Sequence, residues 1–408
     1  MSYIKTTSPL YIVMLGLLSA LPPLAIDLGL PAIPALQAAF HTGIGEATRT
    51  LTVFLLGFSV GPILFGPLSD RYGRKPVLIA GLGLFSLAAV ACAYADQIGT
   101  LLLLRLLQGI AAGAAAALPA AIVRDVFSGP AALSRQSYVA LVNSVAPLVA
   151  PLLGAGLLTL GSWRLIYAAL GAIGFLLLLL GIFGYQESRP QVPQNQRQQN
   201  AFSAAVHAYG QVLRSRPYLI HTALLATSFG TMFAYITGSS AVFIDMLGVS
   251  NSVYGALFAV TAAGTIVGAA AGARLARRWS PDRMLIAGVI GSAVVSLALL
   301  AAALSGAGSI AVVAGCVVLS NMCAGVVMPN ATHQALAPVG HVAGSAAALL
   351  RSMQMLAGAS AGALVGLFAG NQLTVMAGVM TLSALLGLAC LLLRYKHGAA
   401  AELAMQTH

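Results

Sequence analysis

Apolar runs long enough to cross a lipid bilayer recur twelve times along this chain, at roughly 10-37, 46-67, 76-95, 100-123, 133-160, 163-184, 218-244, 252-275, 283-303, 309-331, 343-368 and 372-394. Lipid offers no partner to an unpaired backbone amide, and the runs lack the period-two alternation of a transmembrane barrel strand, so each is expected to be a helix. Only 7% of the residues are charged and 59% are hydrophobic, against about 25% charged in a soluble chain. That excludes a water-soluble globule. The expectation is an all-α integral membrane protein with twelve transmembrane helices. The first run, Leu10 to Leu36, is long enough to span and has many successors, so it reads as a retained helix and not as a cleaved leader.

The 20 basic residues outnumber the 9 acidic ones for a net charge of +11. In a soluble protein such an excess points to nucleic acid. Here its placement matters more, because Lys and Arg gather in the loops that stay cytoplasmic. With the N-terminus inside, the cytoplasmic loops and tails hold Lys5, Arg71, Arg74, Lys75, Arg124, Arg135, Arg189, Arg197, Arg214, Arg216, Arg274, Arg277, Arg278, Arg283, Arg394 and Lys396. Only Arg49 and Arg164 fall on the outer side, while Arg105 and Arg351 land inside spans. The asymmetry predicts a multi-pass protein of a bacterial inner membrane with both termini cytoplasmic.

The longest polar stretch, residues 185-217, is rich in Gln, Pro and Arg and too polar to enter the membrane. It divides the chain into an N-terminal six-helix bundle (1-184) and a C-terminal bundle with a short tail (218-408). A repeat supports the division: GPLSDRYGRKPVLIAG (66-81), shifted by 207 residues, falls on ARLARRWSPDRMLIAG (273-288), sharing Leu68/Leu275, Arg71/Arg278 and the LIAG that follows. Two similar bundles joined by a linker are how many secondary transporters are built, with the substrate site between them near the midplane.

Signatures of other chemistries are missing from the sequence. It contains no G-x-x-x-x-G-K-[ST] loop for ATP and no H-E-x-x-H for zinc. The seven histidines (His41, His207, His221, His333, His341, His397 and His408) map to loops or span ends without a pair at ligand spacing. Cys92, Cys316, Cys323 and Cys390 lie in apolar blocks, form no C-x-x-C pair and read as packing residues. No enzyme, metal or cofactor is expected, so energy for transport would come from an ion gradient.

Four segments carry a family resemblance. GPLSDRYGRKPVL (66-78) resembles the loop signature between spans two and three of the major facilitator superfamily. RLLQG (105-109) resembles the fourth-span motif of its proton-coupled drug exporters, and APLLGA (150-155) the fifth-span antiporter motif. With AIDLGLPAIPAL (25-36), these are similar to the drug:H+ antiporter group and, within it, the bicyclomycin and chloramphenicol resistance type. The resemblance covers essentially the whole chain, although the specific motifs lie in its first half. It implies the two-bundle fold and proton-driven export. Two departures stand out: the usual Gly-Pro of the antiporter motif is Ala150-Pro151, and Arg277 occupies the second-half position of Asp70.

The residues can also be read on their own chemistry. Asp27 is the acid lying well inside a predicted span, in a helix loosened by Pro22 and Pro23. Burial disfavours a carboxylate, so such a group can take up and release a proton in the working range, which makes it the proton-coupling candidate. The competing reading is a solvated acid near its helix end. An uncompensated Arg105 at bilayer depth would cost about 2.5 to 3.5 kcal/mol on insertion scales, so a partner or a wet cavity is expected, the alternative being an arginine that snorkels outward. The resemblance implies that Arg105 responds to the protonation of the acidic site. Gln108, one turn on, would share its face.

Gly66, Asp70, Arg71, Gly73, Arg74 and Lys75 form a tight turn in which the bases anchor the topology and the acid works against it. Asp70 is expected to pair with Arg124 as a conformational latch, and the resemblance implies a contribution from the start of span eleven. Arg351, with Gln354 close behind, is read as part of the cytoplasmic gate, with contact to substrate or snorkelling left open. Asn143, Pro147, Pro151, Gly154 and Gly156 in span five suggest a hinge and a tight seam between halves. Gln108, Tyr138, Asn143, Met232, Phe233, Tyr235, Asn321, Met322, Met328, Asn330 and Gln354 suit a roomy pocket for amphiphiles, although many such residues simply pack.

The expected function is export of small amphiphilic drugs or toxic compounds by alternating access, coupled to protons, by a monomer without cofactors or nucleic-acid partners. The alternative is a dedicated exporter, or an uptake symporter, of one endogenous metabolite on the same fold.

Overall fold

A computed structural model describes residues 3–6, 8–188, 201–368 and 370–406. Among them every regular element is helical, and twelve spans are long and apolar enough to cross a membrane. The first span is α1 (Pro9–Asp27) followed by α2 (Ile33–Phe40). It is not the single rod expected from the sequence. Pro31 lacks the amide that would bond the Asp27 carbonyl and its ring crowds that carbonyl, so the helix stops at Asp27 and restarts after the 3-10 turn Leu30–Ala32. The other five spans of the first half are α3 (Ile44–Tyr72), α4 (Arg74–Ala93), α5 (Ile98–Val126), α6 (Gly129–Leu160) and α7 (Trp163–Leu179).

An amphipathic helix not foreseen in the linker, α8 (Ala201–Arg214), precedes the second half. Its Val212 is buried, Ala208 and Tyr209 are half-buried, and His207 and Gln211 face out, the one-sided pattern of a surface helix. Residues 189–200, including Arg189 and Arg197, lie outside the described residues. The second half comprises α9 (Arg216–Ser240), α10 (Asn251–Leu275), α11 (Pro281–Leu304), α12 (Ile310–Leu336), α13 (Ala343–Leu367) and α14 (Gln372–Gln406). Serine side chains cap several helix starts, Ser250, Ser280 and Ser309 accepting from the amide three residues on.

The two bundles repeat each other's packing. In the first, α3 lies on α5, α4 on α5 and α7, and α1 on α6; six spans later α10 lies on α12, α11 on α12 and α14, and α9 on α13. Glycines set the closest crossings. Gly57 and Gly61 of α3 meet Gly109 and Gly113 of α5, where any Cβ would run into the facing backbone. Gly264 and Gly268 of α10, at the same 207-residue shift as the sequence repeat, lie equally close to the Val318 and Met322 carbonyls of α12. Small residues at four-residue spacing let backbones approach in lipid, where dispersion contacts replace the hydrophobic effect.

Contacts between the bundles follow the same pseudo-symmetry, α3 on α13 and α6 on α10. Twelve spans return the chain to the side on which it began, so both termini, the α3–α4 turn and α8 share one face of the molecule.

Candidate functional site

On the face opposite the termini the bundles are sealed. Gly45 at the start of α3 touches the Gly366 carbonyl of α13, and a Cβ on Gly366 would lie 3.1 Å from Thr48 Oγ1. One turn deeper, a Cβ on Gly362 would lie 2.9 Å from Thr237 Oγ1 of α9 and 3.1 Å from Thr52 Oγ1 of α3. Both hydroxyl oxygens are buried without a hydrogen-bond partner. The second seam joins α6 to α10, where a Cβ on Gly255 would stand 3.2 Å from the Pro151 carbonyl. Pro147 and Pro151 are carried within one continuous helix, and Gly154 packs on the Leu28 carbonyl beside Asp27.

Asp27, at the end of α1, is 4% exposed and makes no hydrogen bond or ion pair among the described residues. It lies within electrostatic range of the Tyr235 and Tyr254 hydroxyls of the other bundle. Those phenols are held in a polar network, Tyr235 Oη 2.7 Å from Thr261 Oγ1 and Tyr254 Oη 2.8 Å from Ser239 Oγ, while Asn321 Nδ2 donates to the Thr261 carbonyl at 2.8 Å. Tyr254, Ser239 and Thr261 escaped sequence reasoning, since a hydroxyl in a helix of small and polar residues carries no signal of its own.

Arg105 is 1% exposed and does not snorkel. Its Nη1 donates to Gln108 Oε1 at 2.7 Å, its Nη2 to the Ala25 carbonyl at 3.1 Å and its Nε to the Thr50 carbonyl at 3.3 Å. The guanidinium lies over the Phe54 and Tyr167 rings at 4.3 and 5.6 Å. Ala25 belongs to the last turn of α1, whose carbonyls lack helical partners and form the negative end of the helix dipole. Arg105 thus ties the end of the Asp27 helix to α3 and α5. Arg105→Lys keeps the charge but one nitrogen cannot reach three acceptors. At about 1.5 to 3 kcal/mol per bond to a charged group, a clear fall in melting temperature is expected by fluorescence thermal denaturation, and an unchanged one would show that the three bonds do not hold the helices.

Toward the face carrying the termini α3 and α13 diverge, opening a cavity of about 920 Å³. Its walls are Pro62, Gly66 and Asp70 of α3, small residues and Arg124 of α5, Gln136 of α6, and Gly344 to Arg351 of α13. The α8 helix lies over its mouth, with Ala208 and Tyr209 lining it; burial and the nearby Asp70 push the Tyr209 phenol up.

The ionic contacts at the mouth correct one expectation. Asp70 pairs with Arg74 at 2.6 Å and not with Arg124, because the α3–α4 turn folds Arg74 back over the end of α3. Arg74 also meets Asp125 at 2.8 Å and donates to Ser69 Oγ at 2.6 Å. Arg71 stands over the Tyr72 ring. Gly73, at φ +103°, allows the turn, and a Cβ there would press on Glu187 Oε2 at 2.6 Å. The Glu187 carboxylate accepts from the Arg74 and Lys75 amides at 3.0 and 2.9 Å, capping the start of α4. Nothing in the linker composition marked Glu187 for this role.

The cavity gathers some of the residues expected to form the site and not others. Gly66, Asp70, Arg74, Arg124 and Arg351 line it, whereas Gln108, Tyr138, Asn143, Met232, Tyr235, Asn321, Met328 and Gln354 do not. Gln108 and Gln354 are buried under their arginines, Arg351 Nη1 donating to Gln354 Oε1 at 3.1 Å. Tyr235 and Asn321 belong to the network facing Asp27. Met232, Met328 and Asn143 are half-buried, and Tyr138 is 53% exposed. Most of the cavity surface is alanine, glycine and proline, since an open space between helices needs short side chains.

The pattern of the Major Facilitator Superfamily matches residues 15–363. The chain is 32% identical over 378 residues to the MFS-type transporter YdgK of Bacillus subtilis (strain 168), covering 92% of both. It is 28% identical to the bicyclomycin resistance protein homolog of Haemophilus influenzae over 61% of this chain and 62% of that one. Against the multidrug resistance protein MdtL of Escherichia coli (strain K12) identity is 27%, over 59% of this chain and 60% of the relative. The E. coli xylose transporter XylE in a partially occluded inward open conformation superposes with a TM-score of 0.67 at 16% identity, covering 95% of this chain and 97% of that one. With two pseudo-symmetric bundles, a cavity between them and this match over most of its length, the chain belongs to the Major Facilitator Superfamily, as a multi-pass membrane transporter of small molecules and not an enzyme.

Proposed function

We propose that the protein exports small amphiphilic compounds from the bacterial cytoplasm in exchange for protons, acting as a monomer in the inner membrane with both termini cytoplasmic. The observation that carries the reading is the V shape: α3 and α13 meet at one end and splay at the other around the cavity. A substrate enters from the face carrying the bases, which the distribution of Lys and Arg assigns to the cytoplasm. Rocking of the bundles closes that mouth and parts the opposite seams. Asp27, buried beside the seam that must part, is the group whose exposure changes in the cycle, and Arg105 holds its helix to the neighbours. The Asp70–Arg74–Asp125 chain and Arg124, facing the start of α13, bias the cytoplasmic gate, with Arg351 on the cavity wall. The α6 segment around Pro147, Pro151 and Gly154 serves as hinge and seam. Relatives named for bicyclomycin and multidrug resistance favour a drug-like substrate over a single metabolite.

The test is transport in vesicles of purified protein, with ethidium and chloramphenicol as probes, beside growth of overexpressing and deletion strains on a panel of toxic compounds. Movement driven by an imposed pH gradient, with resistance to several compounds, is the expected result. Protection against none of them, or flux indifferent to the pH gradient, would sink the reading.

A further inference from the structure

We propose that the cavity selects amphiphiles carrying an acidic group, held at Arg351 and at the place where Arg124 faces the start of α13. This deepens the export reading by naming a substrate class for the same cavity. Four charged residues line it: Asp70, Arg74, Arg124 and Arg351. Arg74 is held between two carboxylates, Asp70 and Asp125, and also donates to Ser69 Oγ. Two guanidiniums are left over, one on each bundle. Arg351 has a neutral carboxamide, Gln354, as its hydrogen-bond partner and no carboxylate within 4 Å among the described residues. A carboxamide fixes the side chain and leaves its charge uncompensated.

Arg124 likewise has no carboxylate within 4 Å among the described residues. Its Nη1 and Nη2 lie 3.8 and 3.9 Å from the position of a Cβ on Gly344, in the first turn of α13. That turn has no side-chain cap, Val342 occupying the cap position. The 3-10 turn Ala337–Val342 runs straight into α13 and its Gly340 carbonyl accepts from the Ala343 amide, so what an anion would meet here is the guanidinium itself. Arg351 stands seven residues further along α13, about 10 Å away. The interval is walled by Ala347 and Ala348 and faced by Ala117, Ala120 and Ala121 of α5. Positive points at both ends of a methyl-lined slot fit a compact apolar body with a carboxylate or a comparable acidic group.

The experiment uses full-length protein in nanodiscs of phosphatidylcholine and three probes of one shape: 2-naphthoate, neutral 2-naphthamide and cationic 2-naphthylmethylamine. Naphthoate is expected to bind about tenfold tighter than the other two, the scale of a charge-assisted bond gained. In Arg351→Gln and in Arg124→Gln the three affinities should converge, while Arg351→Lys, which keeps the charge, should retain the preference and guards against misfolding of the Gln variant. Equal affinities in the parent, or a preference that survives both Gln substitutions, overturns the proposal. So does displacement of naphthoate when phosphatidylglycerol replaces part of the lipid, which would make the site one for lipid headgroups. The two readings fail separately: pH-driven ethidium movement without a naphthoate preference leaves export standing alone, and an arginine-dependent preference without any driven flux leaves the anion site standing alone.

Discussion

Asp27→Asn is expected to give a folded transporter that binds and exchanges substrate but no longer accumulates it against a gradient. Asparagine has the shape of the acid and keeps one oxygen. Because Asp27 gives up no hydrogen bond or ion pair among the described residues, the exchange costs little in packing. What it removes is the ability to change charge. In the sealed state a charge at this position has no ionic partner and almost no water, since Arg105 is bonded to the Ala25 carbonyl two residues earlier on the same helix. If the proposed rocking parts the α6–α10 and α3–α13 seams, water reaches the turn after α1 and the cost of ionisation drops. In the proposed cycle a proton released and taken up there is tied to the opening of one face. In vesicles, counterflow with substrate on both sides should run at the parental rate, while accumulation driven by a pH step should fall to that of protein-free vesicles. Parental accumulation by the Asn variant would move the coupling to another group. Loss of counterflow as well would make Asp27 part of the substrate site.

The spans could be read in advance because a membrane helix is set by the apolar length of its own sequence. The break after Asp27 was equally local, carried by Pro31 and its lost bond to the Asp27 carbonyl, yet an apolar run continuing to Leu36 hid it. Arg105 announced itself by cost: a base at that depth had to be paired or wetted, and its acceptors proved to be carbonyls and Gln108, with no carboxylate. The cavity was not legible. Large polar and sulfur-bearing side chains drew attention, but a space between helices is bounded by residues too small to fill it, and an alanine facing a cavity looks the same in sequence as one packed at a helix crossing. Asp70 and Arg74 stand four residues apart, the spacing of neighbours on one helix. The tight turn expected at Gly73 is present, and its positive φ folds Arg74 back onto Asp70.

Gly45→Val is expected to trap the transporter away from the sealed state and abolish transport without unfolding either bundle. The Gly45 Cα packs against the Gly366 carbonyl, so an added side chain meets backbone, which cannot turn aside as a side chain can. The clash is confined to the contact between α3 and α13, which belong to different bundles, and the crossings inside each bundle are untouched. Overpacking of this kind costs about 1 to 3 kcal/mol, and every 1.4 kcal/mol shifts a two-state ratio about tenfold. If the seam opens in the cycle, the cost falls on the sealed state alone and populations move toward the state open on the other face. Thr52, buried at the seam beside Gly362, reports on the change. With Cys92, Cys316, Cys323 and Cys390 replaced by alanine, a Thr52→Cys thiol should react slowly with a membrane-impermeant maleimide applied from the face opposite the termini. Adding Gly45→Val should raise that rate about ten- to hundredfold, in step with the population shift, while driven transport disappears. Parental transport together with an unreactive thiol would mean that α3 and α13 never separate there, and the rocking motion would have to be hinged elsewhere.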